Sequence, residues 1–141
     1  MTVMQFQPPL PDPDLFDVSA WPVVFARFPE LDESDRVSRV LNSLQAVVDQ
    51  KQRFVIVWSM ARHDHDDEPH EDEKQSMVWL KRHKSDLRTF CAGYVYITQD
   101  PALKKLLEGR FPVVEKFLSF PKKVAPDRRE ALALATAMLG G

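Results

Sequence analysis

Apolar positions change their period several times along the chain, and each change marks an element. Between Leu15 and Phe28, Trp21, Val23 and Phe25 fall on one parity and Val24, Ala26 and Phe28 on the other, which predicts a strand covered on both faces. Pro22 belongs near its start or at an edge, because an interior proline would delete a ladder hydrogen bond. The period then lengthens. Val37, Val40, Leu41, Leu44, Val47 and Val48 recur at helical steps, predicting a helix over 32–49 with Asp32 or Ser34 as its cap and Glu33 and Asp35 in its first turn. Phe54 to Trp58 reads FVIVW without a polar interruption, the pattern of a central strand parallel to its neighbours, since helices flank it in sequence.

A loop is expected over 59–75. A second helix then starts at Ser76, with Met77, Leu80, Leu87 and Phe90 as its buried stripe, Trp79 and His83 on its flank, and Lys81, Arg82 and Lys84 facing water. Cys91 to Thr98 alternates as a strand, Tyr94, Tyr96 and Thr98 to one side and Val95 and Ile97 to the other. Asp100 followed by Pro101 is a helix start, and Leu103, Leu106 and Leu107 supply that helix's buried face until Gly109 ends it. Pro112 restarts a short helical piece through Val113, Val114, Phe117 and Leu118, closed by Pro121, before a short edge strand over 122–125. Asp127 and Glu130 have the capping-box spacing, and Ala131, Leu134, Ala135 and Met138 line a last helix.

Ahead of these elements, residues 1–14 carry Pro8, Pro9, Pro11 and Pro13, so a proline-rich arm, mobile in part, is expected before a single domain over 15–141. A chain of 141 residues, 44% hydrophobic, suits one core. The absence of a long apolar run and of a basic-then-apolar leader predicts a cytoplasmic protein with no membrane span. The lone Cys91 has no internal disulfide partner and reads as a small buried residue.

Net charge is −2, but it is distributed unevenly. Residues 62–75 hold seven acids against Arg62 and Lys74, while residues 76–141 hold twelve bases against six acids. An acidic protrusion on a more basic body can steer a partner. The bases are spread over several segments with no aromatic interleaving, so no nucleic acid is expected.

The order of elements is that of an α/β domain with parallel pairing. Together with Trp21-Pro22-Val23-Val24, FVIVW, Val78-Trp79-Leu80, CAGYVYIT and KKVAPDRREALA, it resembles the STAS-like family of anti-sigma-factor antagonists, in its diverged bacterial branch, over about residues 16–139. The resemblance implies a STAS-like mixed, mostly parallel sheet of four to five strands with helices mainly on one side. It also implies a non-enzymatic, protein-binding regulatory or accessory role. The family's phosphorylatable serine sits in an Asp-Ser-small-Gly motif at the start of the second helix. Ser76 lies nearest that position, but Gln75 and Met77 flank it and the motif is missing. The partner surface implied lies around the start of the second helix, with Lys81, Arg82 and Lys84 as its charged contacts. Whether the partner is a different protein or a second copy forming a homodimer is left open.

The most unusual stretch is the histidine-acid loop. His63, His65 and His70 with Asp66 or Asp67 are ligand types for Zn, Ni or Cu. Their spacing matches no recognised site, and histidines two apart do not share a helix face. A solvated loop with at most weak divalent-metal uptake is therefore expected, a small-molecule or metal-binding protein using this loop being the alternative function. No glycine-rich phosphate loop, Gly-x-Ser-x-Gly elbow or HExxH is present. His83 stands alone as an acid-base candidate and is expected to pack at the core's edge.

Overall fold

The computed structural model describes residues 5–60, 70–116 and 118–140. The segment expected as one strand forms two, β1 (Phe16–Asp17) and β2 (Val23–Arg27), because backbone bonds Trp21 N to Val18 O and Val23 N to Ala20 O, both 3.0 Å, turn the chain between them. There follow α1 (Arg36–Val48), β3 (Phe54–Ser59), α2 (His70–Phe90), β4 (Cys91–Ile97), α3 (Pro101–Glu115), β5 (Lys122–Ala125) and α4 (Arg128–Met138). The sheet order is β1-β2-β3-β4-β5; β1 is antiparallel to β2 and every other neighbouring pair is parallel. The protein is thus an α/β domain built on one mixed, mostly parallel sheet. Pro22 sits just ahead of β2, where its carbonyl still accepts from Val55 N at 3.1 Å.

The continuous FVIVW run is explained by burial on both sides of β3. Ile56 and Trp58 join Val24, Tyr94 and α1 residues Leu41, Leu44, Val47 and Val48 in one cluster; Leu87 of α2 and Leu118 and Phe120 ahead of β5 complete it. Val55 and Val57 join Val23, Val95, Ala131 and Ala135 in the other, beneath α4. Helices α1, α2 and α3 therefore serve one face and α4 the opposite one. Small residues on α4 let it lie close. A Cβ placed on Gly93 would overlap the Met138 sulfur and come within 3.0 Å of Pro121 O.

Several boundaries differ from those expected, each for an identifiable reason. Within the described part of the arm, Phe6 meets Trp21 edge-on at 5.0 Å, Asp12 N donates to Ser43 Oγ, and Arg39 Nε donates to Asp12 Oδ2 at 2.7 Å. Neither Asp32 nor Ser34 caps α1. Its N-cap is Asp35, in the left-handed region at φ 50° and making no side-chain cap bond, and Glu33 is drawn instead to Arg27. Ser59 belongs to β3 and residues 70–75 to α2, so the expected loop is shorter at both ends. Gly109 does not stop α3, which runs through Pro112 to Glu115. Glu108 and Pro112 are both exposed, so the carbonyl that Pro112 leaves without its donor is on the solvent side. No described residue of α3 is buried, and Leu106, expected inside, is 46% exposed. On α2 only Leu87 of the expected stripe is buried, Met77 being exposed. Phe117 lies outside the described residues. Asp100 and Asp127 do cap α3 and α4, accepting from Ala102 N and Glu130 N.

Two buried polar groups shape the amino ends of β4 and β5. Lys122 donates from Nζ to the carbonyls of Leu118 and Phe120, and the ammonium lies 4.2 Å from the Phe120 ring centroid. Desolvation lowers its pKa. Burial pushes the Cys91 thiol up to about 12. At pH 8 its thiolate fraction should accordingly be on the order of 10⁻⁴. The folded chain should resist iodoacetamide for hours and react within minutes in denaturant; equal rates in both states would contradict this burial. Among the described residues, no helix is long and apolar enough to cross a membrane.

Candidate functional site

Where β2 ends, the chain leaves the sheet through Phe28 and Pro29 and crosses to the start of α1. A lattice of ion pairs holds that crossing. Arg27 donates from Nη1 and Nη2 to the two oxygens of Glu33, each at 2.8 Å, and Glu33 also accepts from Glu30 N at 2.6 Å. The Arg27 guanidinium, then the Glu30 amide, hold the Glu33 carboxyl down to about 2. A depressed carboxyl contributes stability that is present above its unfolded pKa, about 4.5, and is lost as pH falls through about 2. Glu33→Gln should therefore flatten the stability profile between those values and leave its shape near neutrality unchanged. Acid titration of the two chains checks this, and parallel profiles would exclude the linkage.

Arg36 is the central residue of the site. Although charged, it is only 9% exposed. Its guanidinium donates from Nε to Glu30 O and from Nη2 to Pro29 O, both at 3.1 Å, and from Nη1 to Asp72 Oδ2 at 2.9 Å. One side chain thus ties the β2–α1 crossing to the first turns of α2. A fork of fixed donors does this where a lysine could not.

The two helices do not close over the space beside this tie. A cavity of about 380 Å³ opens there, lined by Phe28, Pro29, Arg36, Val37 and Val40 on one wall and by Asp72, Glu73, Ser76 and Met77 on the other. Its floor is apolar and joins the core, because Phe28 stacks on Trp58 at 4.4 Å, and Trp58 meets Phe16 and Tyr94 edge-on at 5.7 Å. Met77 is exposed at its mouth, at 42%. The cavity lies beyond the carboxyl end of β2, the side of a parallel sheet where ligand sites gather.

Of the residues singled out from sequence, Ser76 lines this cavity. It is the seventh residue of α2, one turn beyond Asp72 and Glu73, so its own amide lies inside the helical ladder and two carboxylates face it along the helix. That is not the free helix terminus that would hold a phosphate. Lys81 and Arg82 are exposed further along α2, and Lys84 is half-buried. His83 packs on Trp79 with centroids 4.4 Å apart, its Nδ1 lying 3.7 Å from Asp86 Oδ2. His70 is exposed as the first residue of α2, whereas His63, His65, Asp66 and Asp67 lie outside the described residues. Among the described residues no three His, Cys, Asp or Glu side chains gather as a metal site.

Sequence reading missed Arg36 and the cavity. One signal was available: an arginine at the first residue of α1 opposes the positive end of the helix dipole, which points to a carboxylate partner elsewhere. The fold and this groove define the molecule as an α/β domain with an open inter-helix groove at the carboxyl side of its sheet. Compared with known proteins, the chain matches no family model, no curated protein and no solved structure.

Proposed function

We propose that the protein is a non-enzymatic, STAS-like protein-binding module with a regulatory or accessory role in a bacterial cytoplasm. The groove between α1 and α2 carries this reading. Its floor is apolar and its mouth exposes Met77, whereas Arg36 and Asp72 are paired with each other across its walls. A reaction centre needs a free acid, base or nucleophile aimed at a substrate. Arg36 and Asp72 are instead spent on each other, and Cys91 lies buried at the far end of the sheet with its thiol protonated. The mostly parallel sheet, with three of its four helices on one face, agrees with the architecture that the resemblance implies.

Affinity capture with the full chain as bait, from cells that make it, tests the reading. A defined protein partner should be retained, and Lys81→Glu/Arg82→Glu/Lys84→Glu should weaken its binding while changing stability by less than about 1 kcal/mol. Retention of no protein at micromolar bait would count against a binding module. Unchanged affinity in the triple variant would move the contact off the basic half of α2.

A further inference from the structure

Resting on that reading, we infer that the α1–α2 groove receives a basic amphipathic helix of the partner, seated by two bulky apolar side chains. The volume sets the number of anchors. An apolar cavity of roughly 150 Å³ takes one benzene, so the 380 Å³ here has room for two side chains of that order. Two anchors one helical turn apart are what a helix presents to a groove.

The backbone around the groove favours a helix over an extended segment. Peptides that add to a sheet need an unpaired strand edge. Beneath the groove β2 and β3 are paired on both sides, and the sheet's edges are β1 and β5. An extended chain would leave its amides unsatisfied there, whereas a helix satisfies its own.

Charge decides the sign of the partner. The segment that leads from the groove's Pro29 into α1 carries Glu30, Asp32, Glu33 and Asp35, and the first turns of α2 carry Glu71, Asp72 and Glu73. Against these seven stand Arg27, Arg36, Arg39 and Lys74, three short of balance, and the three arginines are held in ion pairs. The amino ends of α1 and α2 add about half a positive charge each, too little to reverse the sign. An anionic ligand is therefore repelled and a lysine- or arginine-rich rim attracted, chiefly through the exposed Asp32, Asp35 and Glu71.

The test uses the full chain and two labelled helical peptides of 18 residues in fluorescence anisotropy. Both carry leucines along one face, with lysines elsewhere in the first and glutamates in the second. The lysine peptide should bind saturably, one to one, and the glutamate peptide at least about tenfold more weakly. Asp32→Asn/Asp35→Asn/Glu71→Gln, all at exposed positions flanking the groove's residues in sequence, should weaken the lysine peptide about tenfold, in line with the loss of three exposed charges. Met77→Lys, also at an exposed position, should abolish binding by placing a charge at the groove mouth while circular dichroism stays unchanged. Equal binding of both peptides, no binding of either, or indifference to both variants overturns the groove assignment. Preference for the glutamate peptide, lost in Lys81→Glu/Arg82→Glu/Lys84→Glu, also overturns it, but leaves the protein-binding reading standing on the basic half of α2.

Discussion

Replacing Ile56 with alanine should cost about 2–5 kcal/mol of stability, the range for truncating a large aliphatic side chain in a close-packed core. Ile56 is fully buried in the middle strand, registered with Val24 on one side and Tyr94 on the other. The side chain has no solvent route by which the gap could be relieved, and the residues clustered with it belong to two flanking strands and to α1, which cannot all move inward. For a domain whose total stability is about 5–15 kcal/mol, such a loss is a large fraction of the whole. Urea unfolding should show a lower midpoint at an unchanged slope. A loss under about 0.5 kcal/mol would contradict the core assignment, because that is the scale of an ordinary surface substitution.

The second large effect is expected at Arg36. Arg36→Ala removes the donors to Pro29 O and Glu30 O and leaves the Asp72 carboxylate without its 2.9 Å partner. A fully buried pair broken on one side costs about 3–5 kcal/mol. Asp72 retains 27% of its side-chain exposure, so water screens part of that loss and about 1.5–3 kcal/mol is the expected range. Arg36→Lys should recover only part of it, since an ammonium on a flexible stem cannot reproduce the fixed fork. Because Arg36 also forms a wall of the groove, both variants should lower affinity for any ligand seated there. Parity between Arg36→Ala and a surface arginine substitution such as Arg82→Ala would show that the tie contributes nothing.

Much of the architecture was legible in residue patterns because those patterns report local physics. FVIVW has no polar residue, and only a strand buried on both faces accommodates that. The spacing from Val37 to Val48 is a helix that shows one face to a core. Asp100 ahead of Pro101, and Asp127 three residues before Glu130, start helices because each satisfies amides within its own turn. In each of these cases the energetic term involves residues a few positions apart.

Expectations failed where the deciding contact or surroundings lay outside the element being read. Glu33 was expected to serve the helix dipole, but a bidentate pair with Arg27 outweighs that weaker interaction and leaves Asp35 as an uncapped start to α1. Gly109 looked like a stop and Pro112 like a fresh start, yet α3 continues through both, because it lies on the surface where a missing donor costs little.

By itself the sequence determined the class of fold, most of the order of elements and the identity of the central strand, since alternation and capping are read over a few residues at a time. Only the tertiary structure decided the rest. The antiparallel place of β1, the opposite side taken by α4, the burial of Arg36 and Lys122 and the groove between α1 and α2 all depend on contacts between residues tens of positions apart. Arg36 and Asp72 are separated by 36 positions, and nothing in either residue's neighbourhood along the chain encodes that the folded sheet will bring them within hydrogen-bond reach.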